Sequence, residues 1–183
     1  MHTTYKPLTT HTIKKLPQFK ALAPELQRDI RVVSTVFPFR TNPYVVDELI
    51  DWDAVPNDPM YQLTFPQRGM LADSDYATIA NLIHKKAPRS EVKAAAQQVQ
   101  MKHNPHPAGQ LQYNVPTLDG EPLPGLQHKY PETVLFFPSR GQTCHAYCSY
   151  CFRWAQFIGD QDLKFAAKES EPVSYTHLRA HET

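Results

Sequence analysis

The sequence has little glycine, little net charge and no long apolar run. Only 6 glycines occur among 183 residues, so a glycine-rich phosphate-binding loop is not expected. The formal net charge is +1, which gives no reason to expect nucleic acid or an acidic membrane surface as a partner. No stretch approaches the roughly 18 apolar residues of a membrane span, and residues 1–15 lack the apolar segment of a secretory signal. We therefore expect a cytoplasmic protein.

Cysteine is also scarce, and its placement is informative. The only three cysteines are Cys144, Cys148 and Cys151, all within eight residues. An odd number this closely spaced is a poor disulfide framework and indicates a metal site in a reducing compartment. Three thiolates can hold three corners of a [4Fe–4S] cluster and leave the fourth iron without a protein ligand. S-adenosylmethionine (SAM) can chelate that iron, so the spacing favours radical SAM chemistry.

A zinc site is the alternative interpretation of the same residues. His145 lies beside Cys144, and three cysteines with one histidine form a known zinc ligand set. The alternative to an enzyme is accordingly a non-catalytic module, which binds zinc or carries an iron–sulfur cluster for interaction with a partner. Zinc ligands normally come as two separated pairs, however, which favours the cluster.

Apolar spacing, proline positions and capping residues outline the secondary structure. Residues 1–20 are polar, and we expect them to be mobile. Residues 51–72 contain three prolines and no sustained period, so a loop is expected that packs through Trp52, Met60, Tyr61 and Phe65. The predicted helices run from Pro24 to Phe37, Tyr44 to Ile50 behind an Asn42 cap, Ser74 to Lys86, and Glu91 to His103 behind a Ser90 cap.

One short segment has the composition of a buried strand. The run TVLFFP, from Thr133 to Pro138, is β-branched and aromatic, which is typical of a buried parallel strand. The cysteines follow in the loop from Ser139 to Cys151. In barrel-like α/β proteins, reactive groups sit on loops at the carboxyl ends of parallel strands. The strand and the loop therefore predict a site of that kind.

Three aspartates near the middle of the chain have two interpretations. Asp51, Asp53 and Asp58 could form an acidic site. Aspartate beside proline and asparagine more often caps a turn or a helix, and we prefer that interpretation.

Two stretches resemble the lysine 2,3-aminomutase family of radical SAM proteins. They are residues 56–71, PNDPMYQLTFPQRGML, and residues 115–151, which end in CHAYCSYC. The resemblance runs from about Phe37 to Lys164. Its most characteristic parts are the triplets PGL and VLF and the tetrapeptide HKYP ahead of the cysteines.

The resemblance implies an α/β fold in which an N-terminal helical region, residues 1–110, leads into a truncated partial (β/α) barrel, residues 111–171. It implies an isomerase whose [4Fe–4S] cluster reductively cleaves SAM to a 5′-deoxyadenosyl radical. Pyridoxal 5′-phosphate (PLP) then carries the amino group in a 1,2-shift on an amino-acid substrate. An external electron donor such as a flavodoxin or ferredoxin is implied, and a homo-oligomer is allowed.

The resemblance also assigns roles to individual residues. Cys144, Cys148 and Cys151 become the cluster ligands, Tyr150 packs against the adenine of SAM, and Arg153 binds the substrate carboxylate. The family's aminomutases usually follow the last cysteine with threonine and a run of arginines, whereas this sequence continues FRWA. The PLP-binding lysine lies far downstream in the family, and no lysine here is assigned its role.

The end of the sequence differs from the rest. Residues 172–183, PVSYTHLRAHET, have no period and no apolar face. They resemble a translated sequencing-adaptor peptide, so we expect a non-native tail on the N-terminal part of a longer enzyme. We expect this fragment to be inactive.

Overall fold

The computed structural model describes residues 6–104, 113–137, 144–148, 151 and 157–158. The chain divides into two compact units, a helical unit and a hairpin unit. The helical unit contains the described residues 6–104, 144–148 and 151. The hairpin unit contains the described residues 113–137, 157 and 158.

The helical unit consists of short helices and one pair of two-residue strands. Its strands are β1 (Leu8–Thr9) and β2 (Arg40–Thr41), which pair antiparallel. Its α-helices are α1 (Thr10–Ile13), α2 (Pro17–Ala21), α3 (Pro24–Val36), α4 (Pro59–Thr64), α5 (Asp73–His84) and α6 (Arg89–Lys102). A π-helix at Val45–Leu49 and two 3₁₀ turns, Trp52–Ala54 and Arg68–Met70, complete it.

The expectation of a mobile segment over residues 1–20 is wrong for its described part. Ile13 is fully buried and Phe19 is 4% exposed. Both side chains belong to the main hydrophobic core, together with Ile30, Val46 and Phe65. Burial of these two apolar side chains outweighs the polar composition around them.

Helix α3 confirms the predicted start and stop signals. Pro24 occupies its first turn, where the missing N–H costs nothing. Ile30 and Val33 are buried, and the helix ends at Val36 with Phe37 in an extended conformation as its C-cap, because Pro38 follows. The Asn42 cap is also confirmed, since its Oδ1 accepts a hydrogen bond from the Val45 N–H at 3.0 Å. The helix behind it is a π-helix rather than an α-helix.

The predicted loop over residues 51–72 contains three short helices instead. Two of the aspartates cap them, as the capping interpretation predicted. Asp58 Oδ1 accepts from the Tyr61 N–H at 2.6 Å, and Asp51 Oδ1 accepts from the Asp53 N–H at 3.1 Å. The predicted packing residues are confirmed, because Tyr61 and Phe65 are buried and Trp52 and Met60 pack against them.

Helices α5 and α6 confirm the last two helix predictions, with one correction. Ser90 is not the cap of α6, because the helix begins at Arg89, two residues before the predicted Glu91, and Pro88 occupies the cap position. The Gln100 side-chain amide ties α6 to the end of α3 by donating to the Val36 carbonyl at 2.5 Å. None of the helices in the described ranges is both long and apolar enough to cross a membrane.

The hairpin unit contains two antiparallel strand pairs. They are β3 (Thr117–Leu118) with β4 (Glu121–Pro122), and β5 (Leu126–Tyr130) with β6 (Thr133–Phe136). Asp119 and Gly120 have positive φ values of 52° and 84° in the two-residue turn of the first pair. That conformation suits a tight hairpin turn and favours the Asp-Gly dipeptide.

The expectation of a buried parallel strand at Thr133–Pro138 needs correction. Its described part, β6, pairs antiparallel with β5, with Leu126 opposite Phe136. Leu135 is 47% exposed and Phe136 is 39% exposed. Only Pro131 and Glu132 separate the two strands, which is long enough for a hairpin but far too short for a parallel crossover. The partial barrel and the boundaries at residues 110 and 171 stay predictions.

Candidate metal centre

All three cysteines lie in described positions that group with the helical unit. Cys144 and Cys151 are half-buried, Cys148 is exposed, and no disulfide joins them. The Cys144 Sγ lies 3.4 Å from the Ala146 carbonyl oxygen, to which the thiol donates. The exposed thiol of Cys148 is therefore accessible to an incoming metal.

Residues 144–148, the cysteine segment, are anchored to the rest of the helical unit by the residues between the cysteines. The backbone N–H of Tyr147 donates to the Leu63 carbonyl at 2.9 Å, and its phenol donates to the Pro38 carbonyl at 3.0 Å. The Nδ1 of His145 lies 3.0 Å from the Arg40 carbonyl. A carbonyl can only accept, so this contact requires the proton on Nδ1.

The local structure of the helical unit explains why these carbonyls are suitable partners. Leu63 lies in the last turn of α4, where carbonyls have no intrahelical donor. Pro38 and Arg40 lie just beyond the end of α3, where the chain has left the helix to enter β2. The cysteine segment supplies donors to all three.

The environment of Tyr147 keeps its phenol protonated. Burial, and secondarily the electrostatic influence of the neighbouring Cys144, raise the pKa of Tyr147 well above its ordinary value. The phenol therefore remains a hydrogen-bond donor to Pro38 throughout the neutral range.

The described residues contain no group of three or more histidine, cysteine, aspartate or glutamate side chains gathered closely enough to hold a metal. The ligand set of Cys144, Cys148 and Cys151 therefore stays a prediction. The donor chemistry fits a cluster, because three thiols lie on one segment and at least one is exposed. Binding would require the Cys144 thiol to lose its proton and its hydrogen bond to Ala146.

The zinc alternative would depend on His145. Because Nδ1 pairs with the Arg40 carbonyl, only Nε2 is available for a metal. Many zinc-bound histidines are oriented in the same manner: one ring nitrogen binds the zinc, and the other donates a hydrogen bond to a carbonyl. Removing this imidazole therefore distinguishes the two kinds of site.

Two predicted site residues are not tested, and the described residues offer no PLP lysine. Tyr150 and Arg153 lie outside the described residues. Every lysine in the described ranges is exposed, whereas a lysine that forms a Schiff base is normally held in a desolvated pocket. These lysines do not fit a PLP site.

Tyr147 is a residue that the sequence reasoning missed. The cysteines, His145 and the residues flanking Cys151 were recognised from the motif, whereas the tyrosine ahead of Cys148 was not. A large aromatic side chain with a polar tip between the first two cysteines was the available signal. Its partners, Pro38 and Leu63, lie far away in the sequence, so spacing alone could not identify them.

Comparison with known proteins gives one distant relationship. No protein-family model matches the chain, and no solved structure matches it. The chain is 29% identical over 157 residues to a protein of Aquifex aeolicus (strain VF5) named "Putative L-lysine 2,3-aminomutase". The alignment covers 86% of this chain and 31% of that relative, so the chain spans less than a third of the relative's length. The relationship gives weak support to the resemblance drawn from the motif residues.

Proposed function

We propose that this chain carries the cluster-binding part of a radical SAM enzyme related to the lysine 2,3-aminomutases. Cys144, Cys148 and Cys151 would each ligate one iron of a [4Fe–4S] cluster, and SAM would chelate the fourth. The observation that carries the proposal is the occurrence of three thiols on one segment of a chain whose relative is named as an aminomutase.

The chain's own residues would hold and orient the ligands. Each cysteine gives up a proton on binding, since the thiolate is the ligand. His145 and Tyr147 fix the segment between the first two thiols to the helical unit. When bound, the cluster supplies the electron that cleaves SAM and thereby starts radical chemistry on the substrate.

The reaction of the whole enzyme would be a 1,2-amino shift on an amino acid. Arg153 is the proposed partner of the substrate carboxylate, and Tyr150 is the proposed neighbour of the SAM adenine. The electron would come from a flavodoxin or ferredoxin. No described lysine fits a PLP site, so we assign no PLP step to these residues.

Anaerobic reconstitution of the full chain with iron and sulfide tests the proposal. We expect about four irons per chain and a broad absorbance band at about 400 nm. Cys148→Ala should lose most of this iron, because its thiol is a ligand. Tyr113→Phe, at a tyrosine that is 66% exposed in the hairpin unit, is the control that should keep it.

A parallel zinc titration decides the alternative. His145→Ala removes one anchor of the segment, the contact with the Arg40 carbonyl, and should weaken iron retention. It should still assemble the cluster at saturating iron and sulfide if the three thiols alone are the ligands. Stoichiometric zinc binding that needs His145, without iron uptake, would contradict the proposal and identify a zinc-binding module.

A further inference from the structure

We propose that Tyr147 is a positioning residue that docks the cysteine segment onto the helical unit and so holds the thiols in place for the metal. The inference rests on the proposed function, because it treats Cys144 and Cys148 as ligands. Tyr147 itself would touch neither cluster nor substrate.

The contacts alternate along the segment. His145 and Tyr147 bond to carbonyls of the helical unit, at Arg40 for the first and at Pro38 and Leu63 for the second. Cys144 and Cys148 flank this pair; the former donates to Ala146 within the segment, and the latter is exposed. The anchors therefore lie between the first two thiols, and among the described residues neither thiol bonds to another part of the helical unit.

Tyr147 makes the larger part of this attachment. It contributes a backbone bond of 2.9 Å and a side-chain bond of 3.0 Å, and these reach two separate places in the helical unit. Leu63 belongs to α4, whereas Pro38 lies between α3 and β2. Two bonds to separate elements restrict rotation as well as translation of the segment, which a single bond cannot do.

Positioning matters because a cubane cluster demands several ligands in a fixed arrangement. A segment that is already held near the right place loses less conformational freedom when metal binds. Loss of the anchor should therefore weaken metal retention even though every ligand is still present.

Tyr147→Phe in the full chain is the test, because it removes the phenol bond to Pro38 and keeps the ring. Hydrogen–deuterium exchange of the peptide containing residues 144–148 should become about fivefold faster, as expected for one lost hydrogen bond. After reconstitution with iron and sulfide, the variant should lose iron to a chelator about fivefold faster than wild type. The electron paramagnetic resonance (EPR) line shape of the reduced cluster should also change.

The control is Tyr113→Phe, which should match wild type in all three measurements. The melting temperature of Tyr147→Phe should stay within a few degrees of wild type, so a change in EPR line shape is not a folding effect. Unchanged exchange would overturn the docking, and faster exchange with unchanged iron loss and EPR signal would overturn the positioning role.

The two proposals fail in different ways. If wild type binds zinc and not iron, the proposed function fails. The exchange measurement and the rate of zinc loss from Tyr147→Phe then decide whether docking positions the segment for that metal.

Discussion

The backbone N–H of Tyr147 donates to the Leu63 carbonyl at 2.9 Å, which joins the cysteine segment to the last turn of α4. The contact links two regions that lie far apart in the sequence. It satisfies a helix-terminal carbonyl and fixes the residue next to Cys148. The stability of α4 and its surroundings should therefore influence the metal site.

The first prediction concerns the cap of α4. Asp58 is 6% exposed and accepts from the Tyr61 N–H at 2.6 Å. Asp58→Ala should lower the free energy of unfolding by about 1–2 kcal/mol, because a buried donor loses its partner. Urea unfolding followed by circular dichroism measures the change. Asp58→Asn keeps an acceptor oxygen and should cost much less; equal losses in the two variants would refute the capping role.

The second prediction concerns the aromatic core beneath α4. Phe65 is fully buried, stacks on Tyr61 with a centroid distance of 4.8 Å, and contacts Phe39 and Trp52. Phe65→Ala should cost about 3–5 kcal/mol, comparable to the whole stability of a small unit. Thermal unfolding measures the loss.

The control for this substitution is Leu49→Ala, at a side chain that is 37% exposed in the same unit. It should cost far less than Phe65→Ala, because surface truncations leave no cavity. Similar losses in both variants would show that the aromatic cluster is not the centre of the core.

The third prediction concerns alkaline pH. Burial, followed by the charge of Asp29, raises the pKa of Tyr61 from 10.0 to about 12. The unfolded phenol releases its proton near pH 10, whereas the folded one keeps it until about pH 12. This contribution to stability is therefore complete below pH 10 and is lost as the pH rises towards 12.

Urea unfolding at a series of pH values from 9 to about 11.5 tests this dependence. Tyr61→Phe has no phenol proton to lose and should show a shallower decline than wild type. Tyr113→Phe, at an exposed tyrosine, should keep the wild-type slope. Parallel curves for wild type and Tyr61→Phe would contradict the prediction.

Much of the helical unit follows from local signals in the sequence. Pro24, Pro38 and Asn42 fix helix ends through the geometry of the proline ring and the reach of a short side chain. These effects act within a few residues. The helices between residues 51 and 72 escaped prediction because each spans fewer than two turns, which leaves no room for a periodic pattern.

The strand that begins at Thr133 shows what local signals cannot predict, which is how a strand pairs. Its composition predicted a buried parallel strand; a strand does form at Thr133–Phe136, but it is antiparallel and largely exposed. Composition reports that a residue suits a sheet and carries no information on which strand lies beside it. The two-residue connection to β5 was the better signal for an antiparallel pair.

For the candidate site, the sequence indicated the ligands but not their anchor. The thiols could be recognised from their number and spacing, because those features determine the metal chemistry. The role of Tyr147 depends on Pro38 and Leu63, which only the folded chain brings to it.

The most direct measurement is the EPR spectrum of the reduced, reconstituted chain with and without SAM. If three thiolates hold the cluster and leave one iron open, SAM should change the signal, because it chelates that iron. In Cys148→Ala the cluster signal should be lost. A cluster signal that SAM leaves unchanged, or a chain that takes up zinc and no iron, would contradict the proposed radical SAM site.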